Sequence, residues 1–348
     1  MTATGVRAPV VLDPGTDPRW GELVGSGRGS LFTSPPWIRA VAGTYGFSPR
    51  ARVLVTSDGT PRAGIAHVDV DDARGPRRVS LPFGDRADPV AGADEDLDVL
   101  LADRPPGTPW TLRALEPTGL LAVPGRVVTG RAAWHATTVT GAAEDVWARL
   151  SGTARRNVRA AARRGVTVRA DTGPEGVRAF HRLHVARRKR RYGMLAPPAA
   201  LFDAIWREFS SSGGVVTLLA EHEGRTVGGA LFCEWDGVLY YKFGASRDDR
   251  LDVRPNDALF WAGLEHAHAR GLRRVDWGVS DLDQPGLVAF KRKWADVEGS
   301  VVTVRLGPRP DSAGVDAILA AATALLTDPA VPDEVSARAG RDLYRYFC

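Results

Sequence analysis

Three apolar, β-branched runs at residues 215–221, 225–234 and 238–246 constrain this chain more than any other feature. Only the short connections Glu223-Gly224 and Asp236-Gly237 separate them. A turn of this length needs positive φ, which Asp and Gly tolerate, so the spacing predicts tight hairpins and a three-stranded antiparallel meander. Helical patterns surround it: a basic helix over 152–164 stopped by Gly165, then 173–191, 198–211 and 256–270, the last ended by Gly271. Short strands are expected at 166–170, 274–277 and 300–306, with a helical turn over 286–294.

The first half reads as a weaker version of the same mixed plan. Ser34-Pro35-Pro36 opens a helix through Tyr45, with Ser34 or Thr33 as its cap. Strands are expected at 51–56, 64–70, 78–81, 110–114 and 133–139, and an acidic amphipathic helix at 94–101. A length of 348 residues gives a prior of about two domains. The pattern changes near residue 140, so the expected division is 1–140, 141–308 and a helical tail at 309–348. That tail carries an Ala/Leu-rich helix near 316–326 and a second near 333–346.

Composition separates function classes only through charge placement. With 44% hydrophobic and 25% charged residues the chain is in the ordinary globular range, which excludes a disordered class. Net charge is +5, yet residues 155–191 concentrate thirteen Arg or Lys against one Asp and one Glu. Such a run reads either as a solvated face or as a footprint for phosphates or nucleic acid. Cys233, in an apolar run, reads as a core thiol, and with Cys348 it makes no disulfide framework or zinc spacing. His181 and His184, or His266 and His268, lack a third ligand, so no metal is expected. Residues 1–7 lack an apolar signal region and no apolar span is long enough for a membrane, which leads to a cytoplasmic expectation.

The chemistry-bearing stretch is Gly286-Leu-Val-Ala-Phe-Lys-Arg-Lys-Trp294, which follows Asp276, Asp281 and Asp283. Cations held between Phe290 and Trp294 suit a place where negative charge is met, or a helix turn anchored by its rings. Arg187 and Arg188 suit a phosphate or carboxylate clamp, and Arg155, Arg156, Arg159 and Arg163 span about two helical turns. Tyr241 is the better wall for a site, since Tyr240 should face the other side of the sheet. Asp276 reads as a general base or as a turn-capping carboxylate.

The order of elements in the second half is that of the GNAT acyltransferase fold. Several stretches further resemble the Fem family of aminoacyl transferases. These are Thr153-Ala-Arg-Arg-Asn-Val-Arg-Ala-Ala-Ala-Arg-Arg-Gly-Val166, Leu183-His184 with Arg187-Arg188-Lys189, and Tyr240-Tyr-Lys-Phe-Gly-Ala-Ser246. Pro255-Asn256 with Leu259-Phe260-Trp261, Asp276-Trp277-Gly278, Gly286-Leu287 and Phe290-Lys291-Arg292-Lys293-Trp294 complete the array. Ser34-Pro35-Pro36-Trp37 and Leu81-Pro-Phe-Gly-Asp85 are similar to the family's N-terminal half.

The resemblance implies an α/β (α+β) fold of two GNAT-like domains, with mixed, mostly antiparallel sheets flanked by helices. The family's long coiled-coil insertion is not present here. It further implies transfer of an amino acid from aminoacyl-tRNA to an amine, on a cell-wall precursor peptide or a small metabolite. By resemblance Lys291 faces the transferred acyl group; Asp276 and Asp283, with Asp281, lie at the strand end where a GNAT sheet opens and are candidate catalytic carboxylates for the amine's proton. Tyr241, Phe290, Arg187, Arg188 and Trp37 are then expected at the substrate, and Arg155, Arg156, Arg159, Arg163 and Lys293 at tRNA phosphates. No cofactor is expected. The alternative is an acyl-CoA-dependent N-acyltransferase, disfavoured because Ser246–Asn256 has no glycine and carries Asp248, Asp249 and Asp252 where CoA's pyrophosphate would be cradled. A third reading is a catalytically inactive tandem GNAT serving as an RNA-binding or regulatory module.

Overall fold

The structure, a computed structural model, describes residues 8–25, 27–92 and 94–348. The segment 1–7 that was read for a signal region lies outside the described residues. The chain forms two compact units, which divide after Ala132 rather than near residue 140. Ser300–Ser312 and Cys348 belong to the first unit, and Ala313–Phe347 to the second, so the expected tail is not a separate body.

The first unit runs β1 (Val10–Leu12), α1 (Pro18–Val24), α2 (Pro35–Tyr45), β2 (Pro49–Val55), β3 (Pro61–Asp72), β4 (Gly75–Val79), α3 (Asp94–Leu101) and β5 (Trp110–Leu115). β1 to β4 pair antiparallel in sequence order, and β4 lies parallel to β5. Ser34 caps α2 by accepting from Trp37 N, and Gly46 ends it at a φ of 69°. Such left-handed backbone is where glycine carries no Cβ penalty. β1 and α1 escaped the sequence reading, although Asp17-Pro18 is a cap-and-proline start whose carboxylate accepts from Arg19 N. Trp110, Leu112, Leu54 and Ile65 anchor this unit's core.

The chain crosses into the second unit within β6 (Arg126–Thr138) and continues through α4 (Ala143–Arg149), α5 (Gly152–Arg163), β7 (Thr167–Asp171), α6 (Pro174–Tyr192) and α7 (Ala199–Ser210). The meander follows as β8 (Val215–His222), β9 (Arg225–Trp235) and β10 (Val238–Ser246). Its turn residues take positive φ as the sequence requires: 51° and 71° at Glu223-Gly224, 46° and 70° at Asp236-Gly237. Next come α8 (Pro255–Ala269), β11 (Arg274–Asp281), α9 (Pro285–Arg292), β12 (Val297–Leu306), α10 (Ala313–Leu326) and α11 (Asp333–Leu343). Strands of the second unit lie in the order β6-β11-β10-β9-β8-β7, with β11 parallel to β10 and β7 to β10 antiparallel.

Alternation along β9 fixes which helix covers which face. A Cβ at Gly228 would meet Leu259 and Pro255 of α8, and one at Gly229 would meet Phe180 of α6. α8 and α6 therefore lie on opposite faces. The α8 side holds Phe232, Phe260, Trp277 and Trp294, all nearly fully buried, and α5 packs there through Ala154 and Ala161. On the α6 side lies Cys233, a core thiol as expected, whose ionisation burial pushes up to about 12.

Two glycines separate backbone need from helix preference. Gly224→Ala is expected to cost about 1–2 kcal/mol, because a Cβ is strained at that φ even with open space around it. Gly286→Ala, in the first turn of α9 with nothing near its Cβ position, should be neutral or stabilise by up to ~1 kcal/mol. Urea unfolding midpoints that move together in both variants would contradict this.

Candidate active site

The site is built where β10 and β11 part. Their parallel pairing covers only Val238↔Arg274, Leu239↔Val275 and Tyr240↔Asp276, although β10 continues beside β9 to Ser246. Two local devices accompany the split. Gly278 sits at a φ of 69° within β11, and the Asp276 carboxylate accepts from its N–H at 2.7 Å. In β10 the register against β9 shifts between Tyr241 and Phe243. That bulge puts two residues of the same parity on opposite faces. Tyr241 packs with Phe232 and Phe260 on the α8 side, while Phe243 packs with His184 and Phe202 on the α6 side. A side chain at 244 would strike the Tyr241 hydroxyl, with only 1.6 Å between Cβ and oxygen, so glycine is required there.

α9 lies over this opening. Phe290 meets Phe260 edge-on at 4.8 Å, Trp294 is 5.5 Å from the same ring, and Phe260 stacks on Trp277 at 4.2 Å. These aromatic contacts seat the helix so that Lys291 points inward. It is only 4% exposed, and its Nζ donates to the Val279 carbonyl at 2.7 Å, one residue past the Gly278 kink. The bracketed cations thus resolve into three roles. Lys291 goes in, Arg292 goes out to Glu298 at 3.0 Å, and Lys293 is taken by an internal ion pair.

Lys293 Nζ lies 2.8 Å from Asp257 Oδ1, with side chains 17% and 5% exposed, and 4.1 Å from the Phe290 ring centroid. Asn157 Nδ2 donates to the same Asp257 oxygen at 3.3 Å. A cation compensated in this way does not bind phosphate without first losing its partner, which corrects the expectation of Lys293 at tRNA. Asp257, unnoticed in the sequence, sits in the first turn of α8 and already answers that helix's positive end.

The two aspartate candidates separate clearly. Asp276 is 3% exposed and accepts from Trp134 Nε1 at 3.0 Å as well as from Gly278 N. It holds the kink rather than facing solvent. Asp283 lies exposed in the turn between β11 and α9, next to exposed Asp281 and Leu282. Tyr241 is held protonated above the ordinary tyrosine range, first by burial and then by Tyr192, with Arg187 acting in the opposite sense. Tyr192, half-exposed at the end of α6 and 5.4 Å from the Arg187 guanidinium, is a rim residue that the sequence reading missed.

A cleft of about 560 Å³ opens between α6 and the segment after β10. Arg182, Arg187, Arg190 and Arg247 line it, against Asp248 and Asp249. Arg187 pairs with Asp248, and Arg247 with Asp249 at 2.9 Å. Arg188, expected beside Arg187 in a clamp, turns away to the Leu195 carbonyl at 2.6 Å and the Tyr344 ring, so it braces the loop after α6. On α5, Arg156, Arg159 and Arg163 are exposed and Arg155 half-buried. Arg159 lies over the Trp147 ring at 5.5 Å, and among the described residues none of the four has a carboxylate partner. Trp37 sits in the first unit's core, 1% exposed and edge-on to Phe32 at 5.5 Å, which makes it a packing residue there and not a substrate contact.

The residues present do not fit a CoA pyrophosphate. The chain from Ser246 to Asn256 has no glycine, and its Asp248 and Asp249 side chains face the cleft. The N-terminus of α8, where such a group would dock, is met by the Asp257 carboxylate and begins at Arg254 in a left-handed conformation. Among the described residues no group of His, Cys, Asp or Glu is arranged to hold a metal ion, and no helix is long and apolar enough to cross a membrane.

Asp276→Asn offers a direct check on the kink. An amide in place of a carboxylate weakens charge-assisted bonds from Trp134 and Gly278, at an expected cost of about 1.5–3 kcal/mol in stability. An unchanged melting temperature with activity lost would return Asp276 to a proton-transfer role.

Comparison with known proteins bears on the fold. A family profile described as an acetyltransferase (GNAT) domain matches residues 148–292. Lipid II:glycine glycyltransferases of Staphylococcus epidermidis and Staphylococcus haemolyticus are each 32% identical, over 94 and 97 residues. Those matches cover 25% and 26% of this chain and 22% of each relative, so the chain spans about a fifth of the relatives' length. Among solved structures, FemX is similar at a TM-score of 0.63 and 17% identity, covering 80% of this chain and 94% of FemX. The C-terminal domain of a putative lysylphosphatidylglycerol synthetase from Agrobacterium fabrum gives 0.54 at 15% identity, covering 89% of this chain and 95% of that one. Residues 148–292 thus match a GNAT domain profile, a quarter of the chain is similar in sequence to lipid II:glycine glycyltransferases, and the fold is similar to that of FemX.

Proposed function

We propose that this protein is an aminoacyltransferase that takes an amino acid from aminoacyl-tRNA and forms an amide on an amine acceptor. The observation that carries the reading is a buried lysine, Lys291, anchored at the split of the parallel pair β10/β11 under an aromatic helix seat. The acceptor's amine nitrogen attacks the ester carbonyl, forming the C–N bond and a tetrahedral oxyanion. Collapse of that intermediate breaks the C–O bond to the tRNA ribose, whose oxygen leaves with a proton. Lys291 supplies positive charge beside the oxyanion, and Asp283 at the open rim takes the proton lost by the amine. The ester supplies the driving force, so the step needs no further reactant.

Donor choice follows from charge placement. The unpaired basic face of α5 suits the phosphates of an RNA stem, whereas Asp248, Asp249 and Asp257 stand against a compact diphosphate. Relatives named for glycyl transfer to lipid II support a cell-wall precursor peptide as acceptor. A small amine metabolite is the other option. The match to an acetyltransferase profile favours one second reading, an acyl-CoA-dependent N-acyltransferase on the same site.

Three outcomes test this. Purified protein with charged tRNA and an amine acceptor should give amide product that RNase abolishes; transfer that survives RNase and requires acyl-CoA would establish the second reading instead. Lys291→Met, which keeps the stem's packing, should lower kcat by about 10²–10³ with the fold retained. Unchanged kcat in the folded variant removes Lys291 from catalysis. Arg156→Glu with Arg159→Glu should weaken tRNA binding and reduce its salt slope by roughly two phosphate contacts. A slope identical to wild type would free α5 from any RNA footprint.

A further inference from the structure

The helix α10 reads Ala-Gly-Val-Asp-Ala-Ile-Leu-Ala-Ala-Ala-Thr-Ala-Leu-Leu, with Asp316 its only charged residue. A helix so apolar ordinarily lies in a core. Here none of its residues is buried, and Ile318 and Leu325 are 69% and 74% exposed. The exposed residues are not scattered. Gly314, Ile318, Ala321 and Leu325 are all exposed and spaced four, three and four apart, which is the seam of a helix pair. Large and small alternate along that seam. Ala317 and Ala324, exposed beside it, leave room for a second backbone to come close.

We propose that α10 is a self-association surface on which two copies of this chain pair through antiparallel α10 helices. A two-fold axis between Ile318 and Ala321 sets each Ile318 against the partner's Ala321 and each Leu325 against the partner's Gly314. Every knob then meets a hole, which is the self-complementarity that an isologous contact demands. Antiparallel packing also opposes the two helix dipoles favourably. Charge argues against an anionic lipid surface. A surface helix for anionic lipid carries Lys or Arg on its polar face, and this one carries only Asp316, with Asp311 and Asp328 beyond its ends. Fourteen residues make a helix about 21 Å long, and two such helices cover on the order of 1,000 Å², the lower edge of specific association. A contact of this size makes a weak, reversible dimer.

Sedimentation velocity of the full chain from sub-micromolar to hundreds of micromolar should show a monomer–dimer equilibrium. Ile318→Glu with Leu325→Glu, both on an exposed face, should leave a folded monomer throughout, with circular dichroism unchanged. Geometry has its own readout in oxidative cross-linking, run in a Cys348→Ser background. Ile318→Cys combined with Ala321→Cys should trap the dimer, and Ile318→Cys alone should not, since the axis keeps the two copies of that position apart. A monomer at every concentration overturns the proposal, as does binding of the monomer through α10 to phosphatidylglycerol vesicles. Cross-linking by Ile318→Cys alone overturns the antiparallel arrangement.

Discussion

The second unit depends on a short hydrogen bond inside one strand. The Asp276 carboxylate accepts from Gly278 N–H two residues on, and Trp134 Nε1 holds that carboxylate from β6. A strand whose own side chain holds its backbone in a left-handed step cannot go on pairing with its neighbour. β11 accordingly leaves β10 after Asp276. The Val279 carbonyl, just past that split, accepts from Lys291. One carboxylate thus opens the sheet and, through the backbone, aims the lysine.

Aromatic packing does the complementary work. α9 is only eight residues long, too short to be stable by itself. Phe290 and Trp294 against Phe260, with Trp277 beneath, give it a rigid seat. The Lys293–Asp257 ion pair ties its end to the start of α8. Because that pair is largely buried and shares Asn157, breaking it strands a charge, so it fixes geometry more than it adds stability.

Much of the second unit was legible because its signals are local. Asp-Gly and Glu-Gly turns announce hairpins, and Gly165 and Gly271 end helices; in the first unit, Ser34 with two prolines likewise starts one. What stayed hidden was partnership across long sequence distance. No local pattern shows that Lys293 faces Asp257, that Arg188 turns back to Leu195, or that Trp134 reaches Asp276. Trp37 shows the converse error, since a large ring after a capped proline start looks the same in a core as at a site. Family resemblance alone singles Lys291 out from its neighbours, whereas its contact with Val279 depends on a kink that only Asp276-Trp277-Gly278 hints at. Nor does any local pattern show that Ser300–Ser312, lying between two stretches of the second unit, complete the first.

That return of the chain has a consequence for biosynthesis. β5 receives its antiparallel partner from Val301–Leu306, residues made only after Ala133–Gly299 of the second unit. During synthesis the first unit therefore waits with a strand edge exposed, Leu112 and Trp110 beside it, while the later unit gathers its local meander and helices. The part of the protein translated first therefore stays incomplete until the chain has passed through Gly299, and that interval is when a holding chaperone would matter most to it.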